Sequence, residues 1–256
     1  MEEQAEDIDM LNLSRQAKLI PANEISQYTL AVFGIGSVGS HFCEIAGKTG
    51  FRNFELYDMD IVEAENIGPQ AFDFTDQKKE KVMAMKEILK RNCGLTDSVV
   101  ANQGQIIAGS EIIAQPNTFY CCFFDSLEAR QLIFDKLKKY PVLFIDGRIG
   151  MFNLRHYLIN CADKEDVEYY EKTLTKNSSE LACGEKACAP VNVQLAGKIV
   201  MNIVNYIKGK DYVKAYIGNA EMPTNDMIVL KGREEKPVIK AEEKKEAEIP
   251  EGYEEM

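Results

Sequence analysis

Six residues, Gly34-Ile35-Gly36-Ser37-Val38-Gly39, follow the apolar run Leu30–Phe33 and precede a helical stripe of apolar residues. Glycines at this spacing between a strand and a helix make a cradle for phosphate. The first permits a tight turn, the second admits backbone to the phosphates, and the third lets helix and strand pack closely. The helix start behind them offers unpaired N–H groups and a partial positive charge. A second apolar run, Phe54–Tyr57, ends in Asp58 and Asp60, and Asp58 falls 22 residues past Gly36. That interval suits an acid meeting a ribose hydroxyl. Two more polar groups close apolar runs further on: Asp125 after Phe119–Phe124, and Asp146 with Arg148 after Pro141–Ile145. Strand ends that carry glycines, acids and an arginine describe a nucleotide site.

The elements that must hold these residues alternate. The spacing predicts a helix over 38–49, with Val38, Phe42, Ile45 and Thr49 inward and Gly50 at its end. A second helix is predicted over 76–93, with Asp76 as its N-cap and Val82, Met85, Leu89 and Cys93 inward. Strands are predicted over 98–102 and 119–124, then a helix over 126–139 and a strand over 141–145 that turns at DGRIG, 146–150. Residues 151–159 leave no room for a crossover and are expected to run antiparallel. Short helical pieces are expected at 11–20, ended by Pro21, and at 111–114. Residues 160–189 read as polar and irregular. A helix of about 17 residues then carries Leu195, Ile199, Ile203 and Ile207, and short strands over 212–217 and 227–230 form a hairpin. The fold class is α/β: a Rossmann-like, mostly parallel twisted sheet flanked by helices, with antiparallel strands in the C-terminal half. The chain divides into an arm over 1–28, a nucleotide-binding core over 29–160, a crossover loop, long helix and hairpin over 161–230, and an acidic, disordered tail over 231–256.

Composition bounds the partners. The 256 residues carry a formal charge of -11, which disfavours nonspecific binding to nucleic acid or anionic membranes. No apolar run approaches the roughly 20 residues of a membrane span, and MEEQAEDIDM lacks the pattern of a signal peptide. A cytoplasmic protein is expected. Seven cysteines at irregular spacing, with no CxxC, fit reduced thiols and no structural zinc. Cys121 and Cys122 sit in an apolar run and are expected to be buried, and the two histidines, His41 and His156, lack companions for a metal site.

The motifs in order resemble the ThiF/MoeB/HesA superfamily, whose eukaryotic members activate ubiquitin and its relatives. The likeness spans roughly 11–210 and rests on SRQ (14–16), GIGSVGS (34–40), LYDMDIVEAENIGPQ (56–70), KKEKVMAMKEIL (78–89), FFDSLEARQLIFD (123–135), DGRIG (146–150) and ACGEKACAPVNVQLAG (182–197). It implies an ATP-dependent adenylyltransferase that activates the Gly-Gly carboxylate of a small β-grasp carrier, a sulfur carrier ahead of a ubiquitin-like modifier. It implies ATP held by Gly34, Gly36, Ser37, Gly39, Asp58 or Asp60, Asn66, Gln70 and Lys81, with Asp125 on Mg²⁺. It implies Arg148 at the substrate tail, a homodimer in which Arg15 completes the partner's site, and Cys183 ahead of Cys188 as a thiol for any later covalent step. Without the resemblance, Lys81 reads as a solvated helix lysine, and Arg130 pairs with a carboxylate. Two words depart from the pattern: Pro69 stands where the family carries arginine, and Ser126 where it carries asparagine. A missing cation at position 69 keeps a non-enzymatic, carrier-binding relative in view. The glycine turn taken alone keeps an NAD-dependent oxidoreductase in view, although no hydride-transfer residue or separate substrate domain is evident.

Overall fold

The computed structural model describes residues 11–106, 109–174 and 188–221, and the backbone of 227–232. The acidic arm 1–10, the tail beyond 232 and Cys183 lie outside the described residues.

Eight strands form one sheet in the order β3-β2-β1-β4-β5-β6-β7-β8. Strands β1 (Thr29–Phe33), β2 (Asn53–Asp58), β3 (Val99–Gln103), β4 (Thr118–Cys122) and β5 (Leu143–Gly150) run parallel. Strands β6 (Asn153–Asn160), β7 (Tyr212–Asn219) and β8 (Met227–Gly232) complete the sheet antiparallel. The mostly parallel sheet with an antiparallel C-terminal half is the architecture expected.

Helices cover both faces, which is why β1 and β4 are apolar at nearly every position rather than at alternate ones. Helices α2 (Ser37–Thr49), α3 (Lys81–Cys93) and α6 (Ala189–Ile207) pack on one face. There Leu30 and Val32 of β1 meet Phe42, Met85 and Ile199 in the larger core. On the other face Ala31 and Phe33 meet Phe134 of α4 (Leu127–Leu137) and Tyr170 of α5 (Lys164–Lys172). The inward stripe of α2 is Val38, Phe42 and Thr49 with Cys43 and Ala46, while Ile45 is only half-buried. Leu195, Ile199, Ile203 and Ile207 are all buried along α6. No helix among the described residues is long and apolar enough to cross a membrane.

Five local expectations are corrected. Helix α3 begins at Lys81, not Asp76, because Asp73 caps a separate 3-10 turn over Phe74–Asp76 and Lys78 then takes a φ of 67°. The arm over 14–20 forms turns, and the first helix, α1 (Ala22–Ile25), follows Pro21. Residues 111–114 form no helix; the Tyr120 hydroxyl accepts the Gln115 N–H across that stretch instead. DGRIG is not a turn: β5 runs through it and pairs with β6 as far as Gly150↔Asn153, so the chain reverses at Met151-Phe152. Residues 164–172, read as irregular, form α5, capped by the Asp163 carboxylate on the Glu165 N–H.

Candidate active site

The glycine turn sits between β1 and α2 at the carboxyl rim of the parallel strands. Gly34 has a φ of +93°, and its N–H donates to Tyr57 O at 2.8 Å. A Cβ there would lie 3.0 Å from the Phe123 and Phe124 backbone, so the turn is wedged against the exit of β4. A Cβ on Gly39 would lie 1.9 Å from Gly34 O, which makes the third glycine obligatory for closing helix on turn. A Cβ on Gly36 would meet nothing within 4 Å. The middle glycine therefore faces open space. No side chain caps α2, and its first internal bond is the Ser40 N–H to Gly36 O. The N–H groups of Ser37, Val38 and Gly39 are left for a ligand.

The two acids that close β2 do different work. Asp58 is buried, and its Oδ2 accepts the Ile35 N–H at 2.6 Å while Oδ1 accepts the Asp60 N–H at 2.8 Å. It fixes the glycine turn from below. Burial pushes its carboxyl up, against the two backbone N–H groups and Lys81, which favour the charged form. Asp60 is exposed, and its Oδ2 accepts from Lys81 Nζ at 2.9 Å. Lys81 is not a solvated lysine: it is buried at the first position of α3, and its N–H donates to Asp60 O at 3.0 Å.

Asp125 is exposed, two residues past the Phe123 backbone against which Gly34 is wedged. Ser126 caps α4 by accepting the Ala129 N–H, so Asp125 is not spent as a cap. A cavity of about 180 Å³ opens beside it, lined by Met59, Gln105, Ile106, Phe124, Ala129 and Ile133 among others. A mostly apolar cavity beyond the ends of β2 and β4 has the chemistry of a nucleobase pocket.

The connection over 61–77 packs onto α2. Ser40 Oγ accepts the Ala71 N–H at 3.0 Å. Pro69 O is pinned twice, by His41 Nε2 at 3.1 Å and by Asn192 Nδ2 of α6 at 2.7 Å. Burial lowers the His41 pKa. Asn66 is half-buried, and its side chain accepts the Glu63 N–H, closing a capping box. Gln70 Oε1 is buried without a partner. The pinning of Pro69 was missed in the sequence; its visible signal is Asn192, one of two asparagines buried among the apolar residues of α6.

Arg148 faces α5 rather than the cradle. Its Nε donates to Asp146 Oδ2 at 2.6 Å and its Nη atoms donate to Thr173 O and Oγ1, both at 3.0 Å. Arg130 takes the other oxygen of Asp146, and also donates to Phe124 O and Gly147 O. The buried Tyr170 hydroxyl donates to Asp146 as well, at 2.8 Å. Burial lowers the Arg130 pKa. Because Arg130 holds the carbonyl just before Asp125, this network fixes where Asp125 emerges. Cys121 and Cys122 are buried, and burial pushes both thiols up. Cys188 is half-buried at the start of α6. Arg15 is exposed, and its neighbour Gln16 donates to Lys48 O, at the far end of α2 from the glycine turn. Thirteen helical residues separate those ends by about 20 Å, so Arg15 does not reach the cradle of its own chain.

The sheet order, the switch to antiparallel strands after β5 and the glycine cradle define a Rossmann-like nucleotide-binding fold. The ThiF family matches residues 7–245, and the chain belongs to that family. Solved structures share the fold at low identity. PaaA is 16% identical with a TM-score of 0.63, over 83% of this chain and 65% of that one. MccB of E. coli with AMPCPP and MccA is 17% identical with a TM-score of 0.64, over 85% and 67%. The ATP complex of E. coli MccB is 15% identical with a TM-score of 0.60, over 83% and 65%. The chain thus spans about two thirds of the length of these structures.

Proposed function

We propose that this protein adenylates the C-terminal carboxylate of a small β-grasp carrier ending in Gly-Gly, at the expense of ATP. The observation that carries the reading is the open space over Gly36, at an uncapped helix start, beside an exposed Asp125 and an apolar cavity. Solved MccB structures that hold ATP, AMPCPP or MccA support a nucleotide and a partner in this fold.

In this reading Gly34, Gly36, Ser37 and Gly39 hold the phosphates through backbone N–H groups. Asp60, exposed and next in the chain to the cavity-lining Met59, takes the ribose, while Asp58 keeps the turn in shape. Lys81 swings from Asp60 to the phosphates, and Asn66 and Gln70 line the covering connection. Asp125 would hold Mg²⁺, which would supply charge neutralisation at the phosphates. The carrier carboxylate attacks the α-phosphorus, the bond to the β-phosphate oxygen breaks, and pyrophosphate leaves with the electron pair. Such a step needs alignment and charge neutralisation more than an acid or base. Arg15 reaches the partner's site in a homodimer, a role consistent with its distance from its own. Cys183 would serve a later thioester or persulfide step.

ATP–pyrophosphate exchange with a panel of Gly-Gly-ended β-grasp proteins tests this. Exchange is expected in the wild type and lost in Asp125→Ala, with the fold intact because Asp125 is exposed. Absence of both exchange and ATP binding refutes it, and tight NAD binding would instead support an oxidoreductase. Pro69 is the observation that favours a second reading, carrier binding without catalysis. ATP binding without exchange would select that reading.

A further inference from the structure

The β5–β6 hairpin sets Arg148 and Arg155 directly opposite each other. Side chains so paired leave the same face with Cβ atoms about 5 Å apart, and like charges there destabilise the sheet. Arg148 is compensated by Asp146, but Arg130 claims the other oxygen of that same carboxylate. Arg155 is half-buried, yet among the described residues it has neither an ion-pair partner nor a hydrogen-bond acceptor. Its neighbour on the other side, across β7, is Ile217. Buried and half-buried charges are normally paired. No described residue supplies an anion to this guanidinium, which stands between a second arginine and an isoleucine in a chain of net charge -11.

The register places it. Cys122 of β4 pairs with Asp146 of β5, so Arg148 stands level with Phe124, and Arg155 one strand beyond. Two strand spacings put Arg155 about 10 Å from the exit of β4. About three residues of extended peptide cover that distance.

We propose that Arg155 selects partners by pairing with an aspartate or glutamate about three residues before the terminal glycine of the incoming tail. The proposal rests on the adenylation reading and adds a charge requirement to it. The side chain expected at the tail from the sequence, Arg148, is committed to Asp146 and Thr173, whereas the arginine opposite it has no ion-pair partner among the described residues.

Two labelled peptides test this with the full-length protein, with and without AMPCPP and Mg²⁺: Ala-Ala-Glu-Ala-Gly-Gly and its twin with Gln for Glu. The Glu peptide is expected to bind about five- to tenfold tighter at low salt, as one charge-assisted pair allows. The gap should close in Arg155→Gln, persist in part in Arg155→Lys, and shrink at high salt. Equal affinities for the twins, no binding of either peptide at millimolar concentration, or a gap that survives Arg155→Gln would overturn the proposal. If Arg155→Gln does not fold, the wild-type gap, its salt dependence and Arg155→Lys still decide. Binding of AMPCPP alone, read on the same samples, reports on the nucleotide site separately. Its loss would count against adenylation and leave the Glu–Gln comparison interpretable.

Discussion

Gly36 and Gly39 separate the two demands made on the glycine turn, and alanine at each should fail differently. In Gly39→Ala the new methyl would stand 1.9 Å from Gly34 O, where contact requires at least 3.0 Å. Helix or turn must move by more than 1 Å, and the turn cannot yield toward β4, because Gly34 is already 3.0 Å from the Phe123 backbone if given a Cβ. Overpacking of this severity costs about 3 kcal/mol. For a domain of this size that lowers Tm by roughly 6–12 °C. In Gly36→Ala nothing lies within 4 Å of the methyl. The loss is that of glycine at an N-cap, about 1 kcal/mol or less, or a few degrees. The methyl nevertheless occupies the space assigned to phosphate, so affinity for AMPCPP–Mg²⁺ should fall at least tenfold, about 1.4 kcal/mol. Thermal melts by circular dichroism and calorimetric titration read the two effects. Wild-type nucleotide affinity in Gly36→Ala would refute the assignment of that space, and an unchanged melt in Gly39→Ala would refute the packing argument.

Asp58→Asn should destabilise by about 1–3 kcal/mol, because the buried Ile35 N–H or the part-buried Asp60 N–H loses its acceptor; a melt unchanged from wild type would show that Asp58 does not brace the turn. Pro69→Arg should keep the fold, since His41 and Asn192 bind the backbone carbonyl and not the ring, and should raise pyrophosphate exchange; a variant that folds but exchanges no faster would mean that charge at position 69 is not limiting. His156 is buried, and burial with Lys198 nearby holds its pKa at about 4. The unfolded chain takes that proton near pH 6.5, so its stabilisation is complete above pH 6.5 and is lost as pH falls toward 4, by about 3 kcal/mol in all. Urea midpoints from pH 7 to 4.5 should therefore fall less steeply in His156→Leu than in wild type, and parallel curves would refute the assignment.

The sheet was legible because its central strands are buried on both faces. LAVF of β1 and the FYCC run of β4 are buried at every position, and the glycine word between β1 and α2 fixes where the rim lies. What the sequence did not show depends on contacts distant in the chain. Asp58 and Asp60 cannot be told apart by spacing, since only the fold puts the Ile35 N–H on one and Lys81 on the other. Lys81 looked like one of several helix lysines because the start of α3 is set by the Asp73 turn and the Ile61–Glu80 bridge, neither of which leaves a periodicity. DGRIG resembled a turn because it contains Gly147 and Gly150, yet the full-length pairing with β6 keeps it a strand. Asp146, which closed an apolar run like Asp125, proved to be fully buried beneath two arginines and a tyrosine.

Charge decides how the proposed reaction would run in this chain. A magnesium-bound triphosphate still carries negative charge, and the attacking carboxylate adds more. Against that, the chain's own cradle offers the α2 terminus, worth roughly half a charge. Lys81 adds little net charge because its ammonium is matched by Asp60. Arg130 and Arg148 are turned toward Asp146, and position 69 is proline. The scaffold that would present an arginine at position 69 is nonetheless intact, with the carbonyl there held from two helices. No described residue adds a further cation at the cradle, and on the adenylation reading Arg15 of a second copy would supply one. Catalysis in this chain would therefore depend on assembly more steeply than in a relative that keeps its own arginine at that position.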